Sequence, residues 1–357
     1  MATIILTGGG SAGHCTPHLA ILPYVKNDFD KVYYIGSENG IERQIIEQAE
    51  IPYYGIPCGK LDRTSIKKNL AMPIKVLKGI KAAGKLLDKI KPNVIFSKGG
   101  YVSLPTVIAA KKRKIPVIAH ESDYTVGLAN KISAKYCKKV LTSFPDTAKE
   151  LSNGIYVGSP IRKSIFTTNK QEALKSFGFN GKKPILLVTG GSQGAKALND
   201  ALRAALPDLL AKYDILHICG KNNLLEENTY KGYVQTEFTN KIENALAIAS
   251  VCVSRAGSNT LFELMSLEIP TLLIPLPKGA SRGDQILNAA YFQKLGLAQV
   301  LEQENLTAKS LVYSINSVYA NRANLAKNFI KSPVKDASRQ ISRIIADYSV
   351  KDPCNLS

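Results

Sequence analysis

The segment Thr3-Ile4-Ile5-Leu6-Thr7-Gly8-Gly9-Gly10-Ser11-Ala12-Gly13-His14 decides the fold of this chain. An apolar, β-branched run that leads directly into glycines is typical of a buried parallel strand that turns into a helix. The glycines let the backbone approach an anion closely, and the start of the following helix supplies unpaired N–H donors. The segment therefore predicts an α/β domain whose first strand ends in a phosphate-type binding loop.

The same junction recurs in the second half of the chain as Leu186-Leu187-Val188-Thr189-Gly190-Gly191, with Thr189 in the place of Thr7. Short apolar runs alternate with helical patterns in both halves, which is typical of parallel sheets covered on both faces. The predicted strands are Thr3–Thr7, Val32–Ile35, Val94–Ser97, Val117–Ala119, Val140–Thr142, Ile185–Thr189, Ile215–Cys219, Val251–Ser254 and Thr271–Pro275. Two similar units in 357 residues predict an α/β protein of two Rossmann-like domains. Gly and Pro after a strand in the segment Val157–Arg162 place the linker there.

The chain carries 47 Lys and Arg against 28 Asp and Glu, a formal net charge of +19. This charge predicts an anionic partner such as phosphates, nucleic acid or an acidic membrane surface. The six cysteines form no CxxC pair, which favours free thiols in a reducing compartment, so we expect a cytoplasmic protein. No run reaches the roughly 18 apolar residues that a bilayer span requires, and any membrane contact should therefore be peripheral.

The basic charge is concentrated between Lys60 and Lys91, a stretch with ten basic residues and two acidic ones. Apolar residues recur there at helical spacing, including Leu70, Ile74, Leu77, Ile80, Leu87 and Ile90, with lysines alongside. The pattern fits a basic amphipathic helix on an anionic membrane, at about 1 kcal/mol per lysine. It fits a core helix with a solvated lysine face equally well. Nucleic-acid binding is not expected, because the stretch has no aromatic residue to stack on bases.

Three further loops follow predicted strands: Ser97–Tyr101, Gly190–Ala195 and Ser254–Thr260. Loops at the carboxyl ends of parallel strands converge on one crevice, so together they predict a phosphate-bearing ligand between the two domains. The first glycine loop alone also matches the GxGxxG pattern of dinucleotide oxidoreductases, with Glu38 as the ribose ligand. The absence of a GxxxxGK[ST] match argues against kinase or ATPase chemistry.

His14 is the first candidate for a general base. It directly follows the first glycine loop and heads a helix, whose positive end favours the neutral imidazole that a base needs. His18 stands four residues further on, a zinc-like spacing, but no third ligand is in view and the Glu of HExxH is absent. We therefore expect no metal site and interpret His18, His120 and His217 as structural.

Seven motifs stand in a characteristic order: the glycine loop ending in Gly13-His14, Lys98–Ser103, His120-Glu121, Val157–Arg162, Gly190–Ala195, Arg255-Ala256-Gly257 and Asp284-Gln285. Together they closely resemble the MurG family, the N-acetylglucosaminyltransferases that make lipid II for peptidoglycan. The match runs from residue 3 to about residue 300 in the family's order and spacing. It implies the GT-B architecture, in which two Rossmann-like domains have parallel sheets that face a central cleft.

The resemblance implies an inverting, metal-independent transfer of N-acetylglucosamine, without a cofactor. The donor is UDP-N-acetylglucosamine and the acceptor is the C4 hydroxyl of lipid I, an undecaprenyl-diphosphate-linked muramyl peptide. The resemblance places acceptor binding and membrane association in residues 1–161, donor binding in 162–335, and in 336–357 a C-terminal helix that packs back on the first domain. The enzyme would be peripheral at the cytoplasmic face of the cell membrane, with the basic helix on an anionic membrane surface and no nucleic-acid partner.

The matched positions also imply site residues. Those that would bind substrate are Ser11, Ala12, Gly13, Arg162, Ser192, Gln193, Thr239, Gly257, Ser258, Asn259, Thr260, Leu261, Phe262, Glu263 and Gln285. Arg162 and Ser192 would hold the donor diphosphate, to which arginine's fixed fork is suited. Residues 257–262 would supply backbone contacts, Glu263 would accept hydrogen bonds from the ribose hydroxyls, and Gln285 would read the sugar hydroxyls.

The chain departs from the family pattern at two places. Ser122-Asp123 stands where many members have Gln-Asn, and Thr239 stands where an isoleucine often contacts uracil. An anionic Asp123 near a diphosphate-bearing acceptor is unfavourable unless it is protonated, turned away or paired. Asp123 is also the rival of His14 as the catalytic base, since it is a carboxylate beside Glu121.

Other interpretations account for parts of the sequence. A UDP-N-acetylglucosamine 2-epimerase or another GT-B glycosyltransferase shares the two-domain architecture but does not explain the lysine-rich helix. A dinucleotide oxidoreductase explains only the first glycine loop, and a nucleic-acid binder explains only the charge.

Overall fold

The computed structural model describes residues 1–59, 72–191, 194–227, 229–279, 283–332 and 336–350. Ser192 and Gln193 of the predicted donor site lie outside these residues, as does the basic segment up to residue 71. Contacts within the chain divide it into two compact units. Unit 1 comprises Met1–Arg162 and Asp336–Ser357, and unit 2 comprises Lys163–Lys335.

Unit 1 is built on a parallel sheet. Its described strands are β1 (Thr3–Thr7), β2 (Lys31–Ser37), β3 (Tyr53–Ile56), β4 (Val94–Ser97), β5 (Val117–Glu121), β6 (Lys139–Thr142) and β7 (Gly154–Tyr156). They lie in the order β3-β2-β1-β4-β5-β6-β7, and every neighbouring pair is parallel. The chain changes direction across the sheet between β1 and β4. At such a point, open α/β sheets bind ligands beyond the carboxyl ends of the strands.

Helices cover both faces of this sheet. The described helices of unit 1 are α1 (Thr16–Asp28), α2 (Ile41–Glu47), α3 (Met72–Ile90), α4 (Leu104–Lys112), α5 (Leu128–Ala134), α6 (Pro145–Lys149) and α15 (Ser338–Asp347). Ile4 and Leu6 of β1 join one buried cluster with α1 and α15, whereas Ile5 joins the cluster with α3 and α4. Because successive side chains of a strand point to opposite faces, a strand buried on both sides carries a nearly continuous apolar run.

The last helix, α15, packs within unit 1. Its Ile345 is fully buried in the cluster that contains α1, and the Ser342 hydroxyl donates to the Asp28 carboxylate at 3.1 Å. Just before the helix, the Asp336 carboxylate accepts a hydrogen bond from the Ile161 amide at 3.0 Å. The segment that leads out of β7 is therefore fastened to the start of α15.

Unit 2 repeats the architecture with a second parallel sheet. Its described strands are β8 (Ile185–Thr189), β9 (Asp214–Ile218), β10 (Tyr233–Thr236), β11 (Ala249–Ser254), β12 (Thr271–Leu273) and β13 (Ala298–Val300). Its described helices are α7 (Ser164–Thr167), α8 (Lys170–Ser176), α9 (Lys196–Leu210), α10 (Ile242–Ile248), α11 (Ser258–Ser266), α12 (Asp284–Lys294), α13 (Ala308–Ala320) and α14 (Arg322–Lys331). The strands lie in the order β10-β9-β8-β11-β12-β13, so the change of direction falls between β8 and β11.

The predicted α/β class and the two Rossmann-like sheets are confirmed. Every predicted strand is present, with ends that differ by a few residues at most. Strands β3, β10 and β13 were not predicted, and each lies at the edge of a sheet. The fourth edge strand is β7, which was predicted only as a strand before the linker. The residues of these edge strands are mostly half-buried. A strand with a neighbour on one side only lacks the apolar run by which the central strands were found.

The sequence placed the apolar residues of helix α3 on one face, but in the structure some of them are buried and others are exposed. Its buried residues are Gly79, Ala83, Gly84 and Leu87. A Cβ on Gly79 would lie 3.2 Å from Pro105, so small residues let α3 approach α4 closely. Ile74 and Leu77 instead remain 57% and 66% exposed among lysines. Within the described residues, no helix has both the length and the apolar content to cross a membrane.

Candidate active site

Two glycine loops lie side by side in unit 1, because β1 and β4 are neighbours in the sheet. Gly10, Gly99 and Gly100 adopt φ angles of 84°, 83° and 77°, which glycine reaches without strain. A Cβ on Gly100 would collide with the Gly9 carbonyl oxygen, and one on Gly10 would lie 2.5 Å from the Tyr101 ring. The two loops therefore meet at backbone level.

Glu42, on α2, fixes the first glycine loop. It is fully buried, and its Oε2 accepts a hydrogen bond from the Gly10 amide at 3.2 Å. Its Oε1 accepts from the Ser37 amide at 3.1 Å and from the Ser37 hydroxyl at 2.5 Å. A Cβ on Gly9 or Gly40 would collide with this carboxylate. Glu42 is thus an anionic acceptor that sets the conformation of the loop.

Replacing Glu42 by glutamine is expected to destabilise the protein by about 1.5 kcal/mol, the low end for a hydrogen bond to a charged group. The new amide keeps one acceptor oxygen, but its NH₂ group then faces a backbone N–H donor. Urea unfolding measures the loss. Glu47→Gln, on the exposed side of the same helix, is the matched control and should stay within about 0.5 kcal/mol of the parent. Equal stability of the two variants would contradict the role of Glu42.

His14 lies in a 3₁₀ turn, Ala12–His14, between the first glycine loop and α1. Its Nδ1 lies 2.8 Å from Ser11 Oγ. When Nδ1–H donates to that oxygen, Nε2 is the ring atom that can accept a proton. A Cβ on Gly100 would lie 3.3 Å from Nδ1, so the imidazole also borders the second loop. The predicted residues Ser11, Ala12, Gly13 and His14 thus occupy one turn where the loops after β1 and β4 meet.

A buried polar cluster lies at the carboxyl ends of β4 and β5. The Lys98 ammonium donates to His120 Nδ1 at 2.7 Å and to the Ser122 hydroxyl oxygen. His120 Nε2 lies 2.9 Å from the Gly158 carbonyl oxygen, which can only accept, so the imidazole is neutral and carries its proton on Nε2. Burial and the Lys98 charge hold the pKa of His120 well below its ordinary value. Burial lowers the pKa of Lys98 to about 8, against the opposing effect of two nearby carboxylates.

Those carboxylates belong to Glu121 and Asp123. Glu121 accepts hydrogen bonds from the Asp123 amide at 3.1 Å, the Gly127 amide at 2.9 Å and the Asn130 side-chain amide at 2.8 Å. Burial and the Asp123 charge raise the pKa of Glu121. Asp123 is half-buried, and its charge favours the protonated form of Lys98. The acidic side chain that departs from the family pattern therefore has a buried cation nearby.

The corresponding loops of unit 2 follow the adjacent strands β8 and β11. Gly191 and Gly194 adopt φ angles of 82° and 73°, and a Cβ on Gly194 would collide with the Cys219 carbonyl oxygen. Helices α9 and α11 begin just after these loops, and their N-cap residues, Ala195 and Gly257, have no polar side chain that could cap them. Such helix starts present N–H donors and a positive dipole end to an anion. The predicted residues Ser192 and Gln193 belong to the first of these loops but lie outside the described residues.

Most of the predicted donor residues lie together on α11 and α12. The residues at the start of α11 are Gly257, Ser258, Asn259, Thr260, Leu261, Phe262 and Glu263. The side chains of Leu261 and Phe262 are buried in the core, so only their backbones could meet a ligand, whereas Glu263 is half-buried. Gln285 Oε1 accepts from the Ala256 amide at 3.2 Å and the Leu276 amide at 3.1 Å. Its side chain would therefore meet a sugar as a hydrogen-bond donor.

Arg255 fixes the same loops from the interior of unit 2. Its Nη1 donates to the carbonyl oxygens of Ile274 at 3.0 Å and Pro275 at 3.2 Å, and its Nη2 donates to Gln303 Oε1 at 2.6 Å. Burial lowers the pKa of this guanidinium. The motif residue Arg255 is thus a structural cation that joins the ends of β11 and β12.

Two further predicted donor residues belong to neither α11 nor α12. Thr239 follows the edge strand β10, and its hydroxyl oxygen accepts from the Lys241 amide at 3.1 Å. Arg162 follows β7 and clusters with unit 1. The ligand contacts assigned to both residues stay predictions.

Sequence reasoning missed Glu42 and gave Lys98 no task beyond its place in a motif. Glu42 contacts Gly10 across 32 residues of sequence, a separation that no local pattern reveals. Lys98 did leave a signal, since a lysine that directly follows a fully buried strand has little access to solvent. In the described residues, no group of three or more His, Cys, Asp or Glu side chains could hold a metal ion.

The chain matches protein-family models in both units. The models of the glycosyltransferase family 28 N-terminal domain and C-terminal domain match residues 4–142 and 185–341. The UDP-N-acetylglucosamine–N-acetylmuramyl-(pentapeptide) pyrophosphoryl-undecaprenol N-acetylglucosamine transferase of Clostridium botulinum (strain Loch Maree / Type A3) is 46% identical over 353 residues, covering 98% of this chain and 100% of the relative. A relative with the same name, numbered 2, from Bacillus thuringiensis subsp. konkukian is 46% identical over 351 residues, covering 97% and 100%.

Solved structures share the fold. MurG of Acinetobacter baumannii has a TM-score of 0.76 at 24% identity and covers 97% of this chain and 100% of its own. A UDP-GlcNAc 2-epimerase from Neisseria meningitidis has a TM-score of 0.68 at 13% identity and covers 99% and 100%. Together with the two parallel sheets, this likeness confirms the predicted GT-B architecture. Identity of 46% over almost the full length goes further than fold, and the chain belongs to glycosyltransferase family 28 and, within it, to the MurG family of N-acetylglucosaminyltransferases.

Proposed function

We propose that this chain transfers N-acetylglucosamine from UDP-N-acetylglucosamine to the C4 hydroxyl of lipid I, with inversion, and so makes lipid II for peptidoglycan. The observation that carries the proposal is the 46% identity, over nearly the whole chain, to relatives named for N-acetylglucosamine transfer to the muramyl-pentapeptide lipid. The glycine loops at the switch points of both sheets support it, because each places backbone donors where a diphosphate can bind.

In the proposed step, O4 of the acceptor attacks C1 of the donor sugar. The C1–O4 bond forms while the bond from C1 to the diphosphate oxygen breaks, and the electron pair of that bond leaves with UDP. The proton on O4 goes to a general base, for which we propose His14 Nε2. Ser11 would hold the ring in place through its 2.8 Å contact with Nδ1.

The departing diphosphate needs positive charge, and we propose that the protein supplies it without a metal ion. The uncapped starts of α9 and α11 contribute N–H donors and positive dipole ends. Arg162 would add a bidentate guanidinium, and Ser192 and Gln193 would add polar groups before α9. Ser11, Ala12 and Gly13 would contact the donor through the first glycine loop.

Ribose recognition gives a prediction for Glu263. If its carboxylate accepts hydrogen bonds from the ribose hydroxyls, Glu263→Ala should weaken donor binding by about 1.5 to 3 kcal/mol, or roughly tenfold to 150-fold. Calorimetry with UDP-N-acetylglucosamine measures the loss, which should appear mainly in the donor KM. Glu304→Ala, at an exposed position of unit 2, is the control. Unchanged donor affinity in Glu263→Ala would make Glu263 a structural helix residue.

We propose that the protein binds the anionic cytoplasmic surface of the cell membrane as a peripheral enzyme. The contact is the exposed side of α3, here called the basic face: Ile74, Lys75, Leu77, Lys78, Lys81 and Lys85. A core helix accounts for the buried side of α3 but not for two apolar side chains that are more than half exposed among lysines. Apolar groups flanked by lysines suit an anionic bilayer surface.

A transfer assay tests the reaction. The parent protein, UDP-N-acetylglucosamine labelled in the sugar, and a short-chain lipid I analogue should give labelled disaccharide-lipid and UDP in equal amounts, both dependent on the acceptor. An epimerase would instead convert the donor to UDP-N-acetylmannosamine with no acceptor present. That outcome, or donor binding no tighter than binding of NADH or an oligonucleotide, would overturn the proposal.

A further inference from the structure

Lys98 is a buried cation that the transfer step above does not use. It is 1% exposed, so it cannot touch a substrate, yet it directly follows β4 at the switch point of the unit 1 sheet. Removing an ammonium from water is costly unless hydrogen bonds and opposite charges offset the loss. We therefore expect a lysine at this position to have a role that depends on its charge.

The two hydrogen-bond partners of Lys98 differ in what they can do. His120 is held on its other side by the Gly158 carbonyl oxygen at 2.9 Å and is buried, so it acts as a fixed acceptor. Ser122 is half-buried and lies just beyond β5, the strand next to β4. Of its two hydrogen-bond partners, Ser122 is the one through which Lys98 can act on a group in solvent.

The hydrogen bond from Lys98 also determines how the Ser122 hydroxyl can act. Its oxygen accepts from the ammonium, so its own proton points elsewhere. An ammonium bound to the oxygen polarises the O–H bond and makes the hydroxyl a stronger donor. Phosphate-type oxygens are the acceptors that gain most from such a donor.

We propose that Lys98 is a positioning residue that acts through Ser122, whose hydroxyl it orients and polarises to donate to a diphosphate oxygen of the acceptor. The identification of that diphosphate with the acceptor rests on the proposed function. Ser122, one of the positions at which the chain departs from the family pattern, thus has a role that depends on one buried cation.

Steady-state kinetics separate this role from general support of the fold. Ser122→Ala should raise the acceptor KM about tenfold and leave the donor KM within about twofold, and Lys98→Met should do the same. The double variant should be no worse than either single variant, because both changes remove one interaction. Ser152→Ala and Lys138→Met, both at exposed positions of unit 1, are the matched controls. Independent, multiplying effects of the two substitutions would overturn the proposal.

A pH profile of the acceptor KM tests the charge of Lys98 without altering it. The titratable side chains that face the ammonium are His18, His120, Glu121 and Asp123. Since burial lowers the pKa of Lys98 to about 8, the ammonium loses its proton as the pH rises through that value. The acceptor KM of the parent should therefore rise on the alkaline side, and that of Ser122→Ala should stay flat. This comparison holds even if Lys98→Met fails to fold. A parallel rise in both proteins would contradict the proposal.

Binding of farnesyl diphosphate separates this inference from the proposed function, because it needs no turnover. Calorimetry should show that the parent binds this probe and does not bind farnesol, and that Ser122→Ala binds it about tenfold more weakly. If the parent transfers sugar but Ser122→Ala binds the probe as the parent does, the inference fails and the function stands. If the parent transfers no sugar while Ser122→Ala loses the probe, the function fails and the diphosphate site stands.

Discussion

His14→Ala is expected to lower kcat by about 10²- to 10⁴-fold, the range for general-base catalysis. Donor affinity should stay nearly intact. A sugar hydroxyl is a poor nucleophile at neutral pH, so its proton must move to a base as C1 is attacked. His14 lies where the two glycine loops of unit 1 meet, with Ser11 Oγ 2.8 Å from its Nδ1. The acid limb of the kcat profile, which reports protonation of the base, should disappear with the imidazole.

The comparison variant is Asp123→Asn, which should retain most activity if His14 is the base. Calorimetry with UDP-N-acetylglucosamine and near-ultraviolet circular dichroism check that both variants are folded and bind the donor. The assignment moves to Asp123 if His14→Ala stays within about threefold of the parent in kcat while Asp123→Asn is folded and inactive. His14 would then be a residue that orders the loop.

Neutralising the basic face should have a comparably large effect, on membrane binding rather than on chemistry. The variant changes four lysines to glutamine: Lys75, Lys78, Lys81 and Lys85. At about 1 kcal/mol per lysine, affinity for vesicles of anionic lipid should fall about a thousandfold at low salt. Cosedimentation with phosphatidylglycerol vesicles measures the loss, and the salt dependence of the parent's binding should weaken in parallel. Turnover of a short-chain, soluble acceptor should be unchanged.

A matched control separates this face from the net charge of the protein. It removes the same charge from exposed positions of unit 2, by changing Lys170, Lys175, Lys182 and Lys221 to glutamine. This control should bind vesicles nearly as the parent does. Equal losses in both variants would assign binding to overall charge, and undiminished binding of the first variant at low salt would refute the basic face. Ile74→Ser combined with Leu77→Ser should reduce the binding that persists at high salt.

The central strands and the glycine loops were predictable because their causes are local. β1 and β8 are buried at every position and carry a continuous apolar run, since both faces of each sheet are covered, and each runs directly into glycines. The edge strands β3, β10 and β13 have no such mark, because a half-buried strand need not be apolar throughout. Their pairing was decided by the neighbouring strand rather than by their own residues.

The candidate site divides in the same way. Ser11, Gly13 and His14 stand in one short motif, so the sequence could bring them together before any fold was known. Glu42 is 32 residues from Gly10 and Lys98 is 24 residues from Ser122, and in each case only the folded sheet makes them neighbours.

By itself, the sequence determined the α/β class, the two Rossmann-like units and the family, because strand patterns, glycine loops and ordered motifs are written in consecutive residues. The tertiary structure alone decided which charges are buried and what they contact. Lys98 and Glu42 are ordinary charged residues in the sequence, and only the packing of β4 and α2 removes them from water. Tertiary packing also decided that Ile74 and Leu77 stay exposed, because the side of α3 that packs against α4 is the opposite one, which carries small residues. Burial depends on which surfaces meet, and that is a property of the assembled fold rather than of any one segment.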